Sequence, residues 1–268
     1  MYDLSEIKEY LSTKYIGQTI IQFDELKSTG AKAKSIFDTC PNGTVILSEH
    51  QNKCKLRFGR EWYSRPDKNI YLSIILKPEA DKYIISEYET IASAAVLESI
   101  RYFYNSSSIK IKWPNDILID NKKISSVHCE LVKSKNIAAG IIITICVNVN
   151  LDYNQIDDEI KKRSTSIKIE THTELNREKL AGIILNNLEA YCNELIIDNS
   201  MNNPLNIFIH NSEQIGKSIE IVRYNKKTAR SVLVKGIDNN GNLIVINDKG
   251  NEETINSGEV TVKYEERA

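Results

Sequence analysis

Apolar residues recur along this chain with two different periods, and the alternation between them outlines a sheet with helices against it. Leu4, Ile7 and Leu11 stand at helical spacing within residues 4–15, after which residues 19–26, with Ile20, Ile21 and Phe23, read as a β-rich run. Residues 31–37 favour a short helix, closed by the Pro41-Asn42-Gly43 turn signal that introduces a strand at residues 44–48. A buried strand is predicted at Ile70–Leu76. It is followed by a long helix whose Tyr88, Ile91, Ala92, Ala95, Val96, Ile100 and Phe103 form one stripe for packing on the sheet. Three strands come next, at residues 109–113, 123–132 and 137–149. The last two are joined by the polar turn Ser134-Lys135-Asn136, and the last is almost entirely β-branched, as a central strand would be. A second amphipathic helix spans residues 177–195, with Leu180, Ile183, Ile184, Leu188 and Tyr191 on one side.

That helix closes the main unit, and residues up to Ile215 read as a connection. After Gly216 the pattern changes to short strands at residues 219–224, 230–236, 243–245 and 260–262, separated by Asn225-Lys226, Asn239-Asn240-Gly241 and Lys249-Gly250 turns. The expected organisation is an α+β main domain over residues 1–212, a mixed β-sheet flanked by helices, and a small C-terminal β-barrel over residues 213–268. No internal repeat or low-complexity stretch interrupts it.

Composition narrows the partners. Lysine and arginine total 35 against 36 acidic residues, a net charge of −1, so there is no overall basic field for a polyanion and no nucleic-acid partner is expected. Asp3, Glu6, Lys8, Glu9 and Lys14 punctuate the start of the chain, and no apolar run approaches the roughly 18 residues that span a bilayer. A cytoplasmic protein without a membrane partner is the expectation. Five cysteines without paired close spacing argue against a disulfide framework and against a zinc knuckle, and none of the four histidines pairs with another at helical spacing.

Two segments carry candidate chemistry. From His50 to Arg65 periodicity is lost and Lys53, Lys55, Arg57, Arg60 and Arg65 face only Glu49 and Glu61 nearby, which makes a basic loop. Further on, Lys112-Trp113-Pro114-Asn115-Asp116 follows an extended run. Its proline stops both helix and ladder, so the Asn-Asp pair is held at a strand end. Asn and Asp after proline are also ordinary turn formers, and a lone lysine after a hairpin is ordinarily solvated surface, so neither feature is diagnostic in isolation.

The pentad closely resembles the K-W-P-N-D signature of biotin–protein ligases, and residues 117–123 resemble that family's short strand, hairpin and lysine. The resemblance implies a class II synthetase-like biotin/lipoate ligase catalytic domain followed by an SH3-like barrel. It places Lys123 at the centre of the site, against both the biotin carboxylate and the α-phosphate of ATP. A fixed cation there lowers the repulsion between two anions that must react. By the same resemblance, Ser28 and Thr29 match the segment that contacts the biotin ring system, Gln51 the glutamine after the next strand, and Asn148 the asparagine of a G-I-N signature. Ser164-Thr165-Ser166 and the Asn176-Arg177 helix start also fall where the family has them.

The basic loop corresponds to the family's G-R-G-R-x-G-R, read here as Cys54-Lys55-Leu56-Arg57-Phe58-Gly59-Arg60 with Glu61-Trp62 after it. Two glycines are missing, which is expected to strain the loop by roughly 1 kcal/mol or more each and to weaken retention of an adenylate. Further departures are Gly30 where asparagine is usual, Ser126 for a glycine, and Thr144 and Cys146 where glycines line the nucleotide side. These side chains are expected to narrow or reshape the pocket. The implied catalytic residues are Lys123 and Arg57, the latter for phosphate contact. Ser28, Thr29, Gln51, Lys55, Leu56, Arg57, Lys123 and Ser126 are implied for biotin. Arg57, Arg60, Trp62, Asn115, Asp116, Lys123 and Asn148 are implied for the nucleotide, with Asp116 beside Mg2+.

The expected activity is ATP-dependent formation of biotinyl-5'-AMP and transfer of biotin to a lysine of a biotin carboxyl carrier domain of a carboxylase or decarboxylase. The exposed sheet edge is expected to pair with itself, giving a homodimer, or with the carrier. The family's winged-helix DNA-binding module is not expected before this domain, because the catalytic-type pattern starts almost at Met1, and a repressor role by that route is therefore not expected. Two other readings stand beside this one. A related ligase or transferase would act on lipoate or octanoate, the transferase needing a reactive cysteine. A catalytically weak protein would hold biotin or its adenylate without turnover.

Overall fold

The computed structural model describes residues 1–53, 62, 64–78, 83–134, 137–223, 228–257 and 260–263. Seven strands form one mixed sheet: β1 (Ile20–Leu26), β2 (Val45–Gln51), β3 (Ile70–Leu76), β4 (Ile109–Lys112), β5 (Asp116–Ile119), β6 (Lys122–Ser134) and β7 (Ile137–Val147), in the order β1-β2-β3-β7-β6-β5-β4. β1 and β2 run parallel and every other neighbouring pair runs antiparallel.

The period of two along β3 and β7 builds two different faces. Ile70, Leu72, Ile74 and Leu76, with Ile141, Ile143, Ile145 and Val147 opposite them, enter a large core under α3 (Ile85–Arg101) and α6 (Arg177–Ile197). The alternate positions Tyr71, Ser73 and Ile75, opposite Cys146, Thr144 and Ile142, point the other way. There the short helix α2 (Thr29–Ser35), capped by Ser28 Oγ on the Ala31 amide, covers Ile75 and Ile142 through Ala33. The rest of that face carries polar groups. α3 is buried along nearly its whole length because the sheet, α6, α7 (Asn202–His210) and the Gly241 turn and Ser257 of the C-terminal unit surround it.

Several expectations change. The first helix, α1 (Leu4–Glu9), ends well before Tyr15. The buried carboxylate of Glu189 accepts the backbone amides of Lys14, Tyr15 and Ile16 at 2.5, 2.9 and 2.7 Å, and this tertiary contact holds that stretch out of a helix. The presumed connector contains α7, whose Pro204, Leu205 and Phe208 are buried against α3, although Asn202-Asn203-Pro204 reads as a turn in sequence. Short helices α4 (Asp158–Lys161) and α5 (Ile167–Thr171) also lie between β7 and α6.

The second unit is a five-stranded antiparallel sheet: β8 (Ser218–Arg223), β9 (Ala229–Ile237), β10 (Leu243–Ile246), β11 (Glu252–Ile255) and β12 (Val260–Lys263), in the order β11-β10-β9-β8-β12. β11 escaped sequence detection because three of its four positions are at least partly exposed and no apolar alternation marks it. This sheet is joined to the first unit at specific places. Residues 211–213 pair with β4, through Ile111 N–H to the Asn211 carbonyl (2.8 Å) and Glu213 N–H to the Ile111 carbonyl (2.9 Å). Trp113 donates its backbone N–H to Gln214 Oε1 (2.6 Å) and its Nε1–H to the Gly241 carbonyl (2.9 Å). Gly241 has φ +80°, and a Cβ there would overlap Thr90 Oγ1 and lie 2.6 Å from the Ser86 carbonyl of α3. Gly241→Ala is therefore expected to destabilise the protein by roughly 1–3 kcal/mol. Urea unfolding measures this, and an unchanged midpoint would contradict the docking role of the turn.

Candidate active site

The polar face of the sheet and the adjoining strand ends bring the predicted residues together. β5 begins at Asp116, just after the Trp113–Pro114 cis peptide. Asn115 anchors this turn to β6: its Nδ2 donates to the Val127 carbonyl, and its own carbonyl accepts the Val127 amide at 2.9 Å. Asp116 pairs in register with Ser126. One carboxylate oxygen accepts the Ser126 hydroxyl at 2.7 Å, and the other meets Lys123 Nζ at 2.5 Å. Both ends of this ion pair are partly open, Lys123 at 26% and Asp116 at 18%, so the ammonium can change partners without unfolding anything.

Lys123 is fixed through its backbone. Its amide donates to the Arg163 carbonyl (2.8 Å) and its carbonyl accepts the Thr165 amide (3.0 Å). Asn148 ties the same region from β7. Its amide donates to the Ile124 carbonyl (2.7 Å), its Nδ2 to the Thr165 carbonyl (3.0 Å), and its Oδ1 accepts from Asn69 Nδ2 (3.3 Å). The 163–165 segment, the start of β6 and the end of β7 thus converge on one corner.

The other end of the site lies under α2. Gln51 Oε1 accepts from the Thr29 amide (2.7 Å) and the Thr29 hydroxyl (3.1 Å), while Gln51 Nε2 points at Cys146 Sγ (3.8 Å). Cys146 pairs in register with Ser126 and so links the two ends. Trp62 packs against Cys146 and Tyr71. The Tyr71 hydroxyl accepts from Arg65 N–H and Asn69 Nδ2, each at 2.8 Å, and burial pushes its pKa up to about 12, which makes it a neutral support for the chain around residues 64–69.

Among the described residues, then, Ser28, Thr29, Gln51, Trp62, Asn115, Asp116, Lys123, Ser126 and Asn148 border one continuous region. Lys55, Leu56, Arg57 and Arg60 lie outside the described residues. Ser73, Asn69 and Tyr71 also belong to this network and were missed; the signal was present as polar atoms at alternate positions of an otherwise aliphatic strand. A separate groove of about 360 Å³ runs along Ser108, Lys110, Asp120, Asn121 and the connector, and no predicted site residue lines it.

Comparison with known proteins agrees with this architecture. Residues 21–150 match the Biotin/lipoate A/B protein ligase family, and residues 215–263 match the Biotin protein ligase C terminal domain. The chain belongs to the biotin–protein ligase family. It is 32% identical over 183 residues to the bifunctional ligase/repressor BirA of Bacillus subtilis, covering 67% of this chain and 54% of that protein. The chain thus spans about half the length of that relative. The Escherichia coli BirA protein is 22% identical over 285 residues, covering 99% of this chain and 82% of the relative. In fold, the biotin protein ligase from Aquifex aeolicus in complex with biotin and ATP superposes with a TM-score of 0.79 at 22% identity, over 92% of this chain and 99% of that one. No helix among the described residues is long and apolar enough to cross a membrane.

The thiols bear on the alternative that needs a reactive cysteine. Burial pushes the Cys129 and Cys192 thiols well above their ordinary range, with the nearby Glu89 and Glu189 carboxylates respectively adding to the shift. Cys146 is fully buried beneath Trp62 and Tyr71. Native protein treated with iodoacetamide should therefore remain unmodified at Cys129, Cys146 and Cys192 until it is unfolded. Rapid native labelling at any of the three, read by peptide mass spectrometry, would contradict this.

Proposed function

We propose that this chain is an ATP-dependent biotin–protein ligase that forms biotinyl-5'-AMP and passes the biotinyl group to a lysine of a biotin carboxyl carrier domain. The observation that carries the reading is the partly exposed Lys123–Asp116 pair at the junction of the two ends of the site. A carboxylate that must attack a phosphate meets like-charge repulsion, and a cation held at that junction relieves it most as charge accumulates in the transition state. The Asp116 carboxylate holds the Lys123 ammonium in place before substrates arrive; the incoming anions then replace it as partners. Arg57 is assigned to the same phosphate from the basic loop.

In the first step the biotin carboxylate oxygen bonds to the α-phosphorus and pyrophosphate leaves. In the second, the carrier amine attacks the acyl carbon, AMP leaves, and the amine proton is lost to solvent or a phosphate oxygen. No covalent enzyme intermediate is required, which suits a site built from Lys, Asp, Asn, Ser and Thr. Among the described residues no group of three His, Cys, Asp or Glu could hold a metal. Magnesium, carried mainly by nucleotide phosphates, needs no more than one or two carboxylates; Asp116 is the residue that would hold it, and it would supply charge neutralisation on the leaving pyrophosphate.

Ser28, Thr29, Gln51 and Ser126 are assigned to biotin, and Asn115, Asn148 and Trp62 to the nucleotide side. Asn115 and Asn148 act through the brackets they make to β6 and to residue 165. The carrier is the macromolecular partner, the compartment is cytoplasmic, and a second copy of the chain is a partner for the exposed edge of β1.

The test is direct. The purified protein is incubated with ATP, labelled biotin and a carrier domain, and both adenylate and carrier label are measured. Lys123→Ala is expected to lower both by at least about 10²-fold, the scale of losing one charge-stabilising donor. Label from octanoate or lipoate in place of biotin would replace the reading with the related acyl ligase. Tight biotin binding without pyrophosphate release would replace it with a binding protein.

A further inference from the structure

Position 30 has no side chain, and three hydroxyl oxygens gather where one would begin. A Cβ on Gly30 would lie 2.8 Å from Thr144 Oγ1, 3.7 Å from Ser28 Oγ and 3.8 Å from Ser73 Oγ. The hydrogens of this cluster can be assigned one by one. The Thr29 amide can only donate, so the Gln51 atom 2.7 Å from it is the carboxamide oxygen, which can only accept. The Thr29 hydroxyl therefore gives its one hydrogen to Gln51 Oε1 (3.1 Å). Ser73 in turn donates to Thr29 Oγ1 (2.8 Å). Ser73 and Thr144 lie 2.8 Å apart, and because the Ser73 hydrogen is already committed, the hydrogen between them comes from Thr144.

The relay runs in one direction, from Thr144 through Ser73 and Thr29 to Gln51. Its inner members, Ser73 and Thr29, are fully buried at 0% exposure, while Thr144 retains 6%, so Thr144 is the end nearest the open face. Its hydroxyl arrives there with its hydrogen used and lone pairs remaining. A group that meets it must bring a hydrogen.

We infer that Thr144, in the room left by Gly30, is a specificity-determining residue of the acid subsite, selecting ring acids that carry an N–H donor over donor-free acids. A cyclic urea carries two such N–H groups, whereas a dithiolane ring or a straight alkyl chain carries none. The inference rests on the ligase reading above and deepens it. A ligand carbonyl placed at Thr144 would meet lone pair against lone pair, and an alkyl chain would leave the remaining lone pairs without a donor, so the relay penalises both alternatives.

The experiment uses the full chain with biotin and with octanoate, measuring binding by calorimetry and the KM and kcat of ATP–pyrophosphate exchange. Thr144→Val keeps the shape and removes the acceptor. It is expected to weaken biotin binding roughly ten-fold, through KM rather than kcat, and to strengthen octanoate binding by relieving the penalty the hydroxyl imposes on an alkyl chain. Thr144→Ser should recover most of what valine loses. Biotin affinity in Thr144→Val equal to that of the unsubstituted chain overturns the inference while leaving the ligase reading in place. An unsubstituted chain that binds octanoate and not biotin overturns the ligase reading and the inference together. A second arm is independent of any ligand. Gly30→Ala should lower the Tm by displacing Thr144 from Ser73, and adding Thr144→Ala should restore at least half of the loss; additive losses would overturn the pairing of the two positions.

Discussion

Every assigned group on β3, β5, β6 and β7 depends on the two-sidedness of one sheet. β3 and β7 lie at its centre, and their alternate residues go to opposite faces, so burying the aliphatic set under α3 and α6 obliges the other set to face away. That second face is closed over Ile75 and Ile142 by α2, and beyond α2 it carries Ser73, Thr144, Cys146, Ser126 and Asp116. A one-residue slip of register would exchange the two sets and bury the hydroxyls in the helix core. The hydrophobic term that fixes the register therefore also places the polar site.

The site then has two kinds of members, distinguished by what their polar atoms already do. Lys123 and Asp116 are partly exposed and bound to each other, so their interaction can be traded for a ligand. Asn115, Asn148 and Asn69 are buried and satisfied by backbone carbonyls, amides and one another, so they hold the turn, the end of β7 and the 163–165 segment in place. Removing a buried bracket exposes unsatisfied backbone groups, whereas removing an exposed cation subtracts charge alone. The C-terminal sheet belongs to the first group's support, because Trp113, two residues from Asn115, is held from both its backbone and its indole by Gln214 and Gly241.

The sequence itself determined the alternating strands, the amphipathic helices, the pentad at a strand end and the family resemblance, because these are local patterns or contiguous motifs. It also marked Gly30, Ser126, Thr144 and Cys146 as departures from the family. Only the tertiary structure decided what those departures mean. The missing side chain at 30 lies opposite the added hydroxyl at 144, and Ser126 completes the coordination of the Asp116 carboxylate. α7 and the early end of α1 were hidden for the same reason. Each is set by a contact from a distant element, α3 for the one and Glu189 for the other, and a local period carries no record of where another part of the chain will pack.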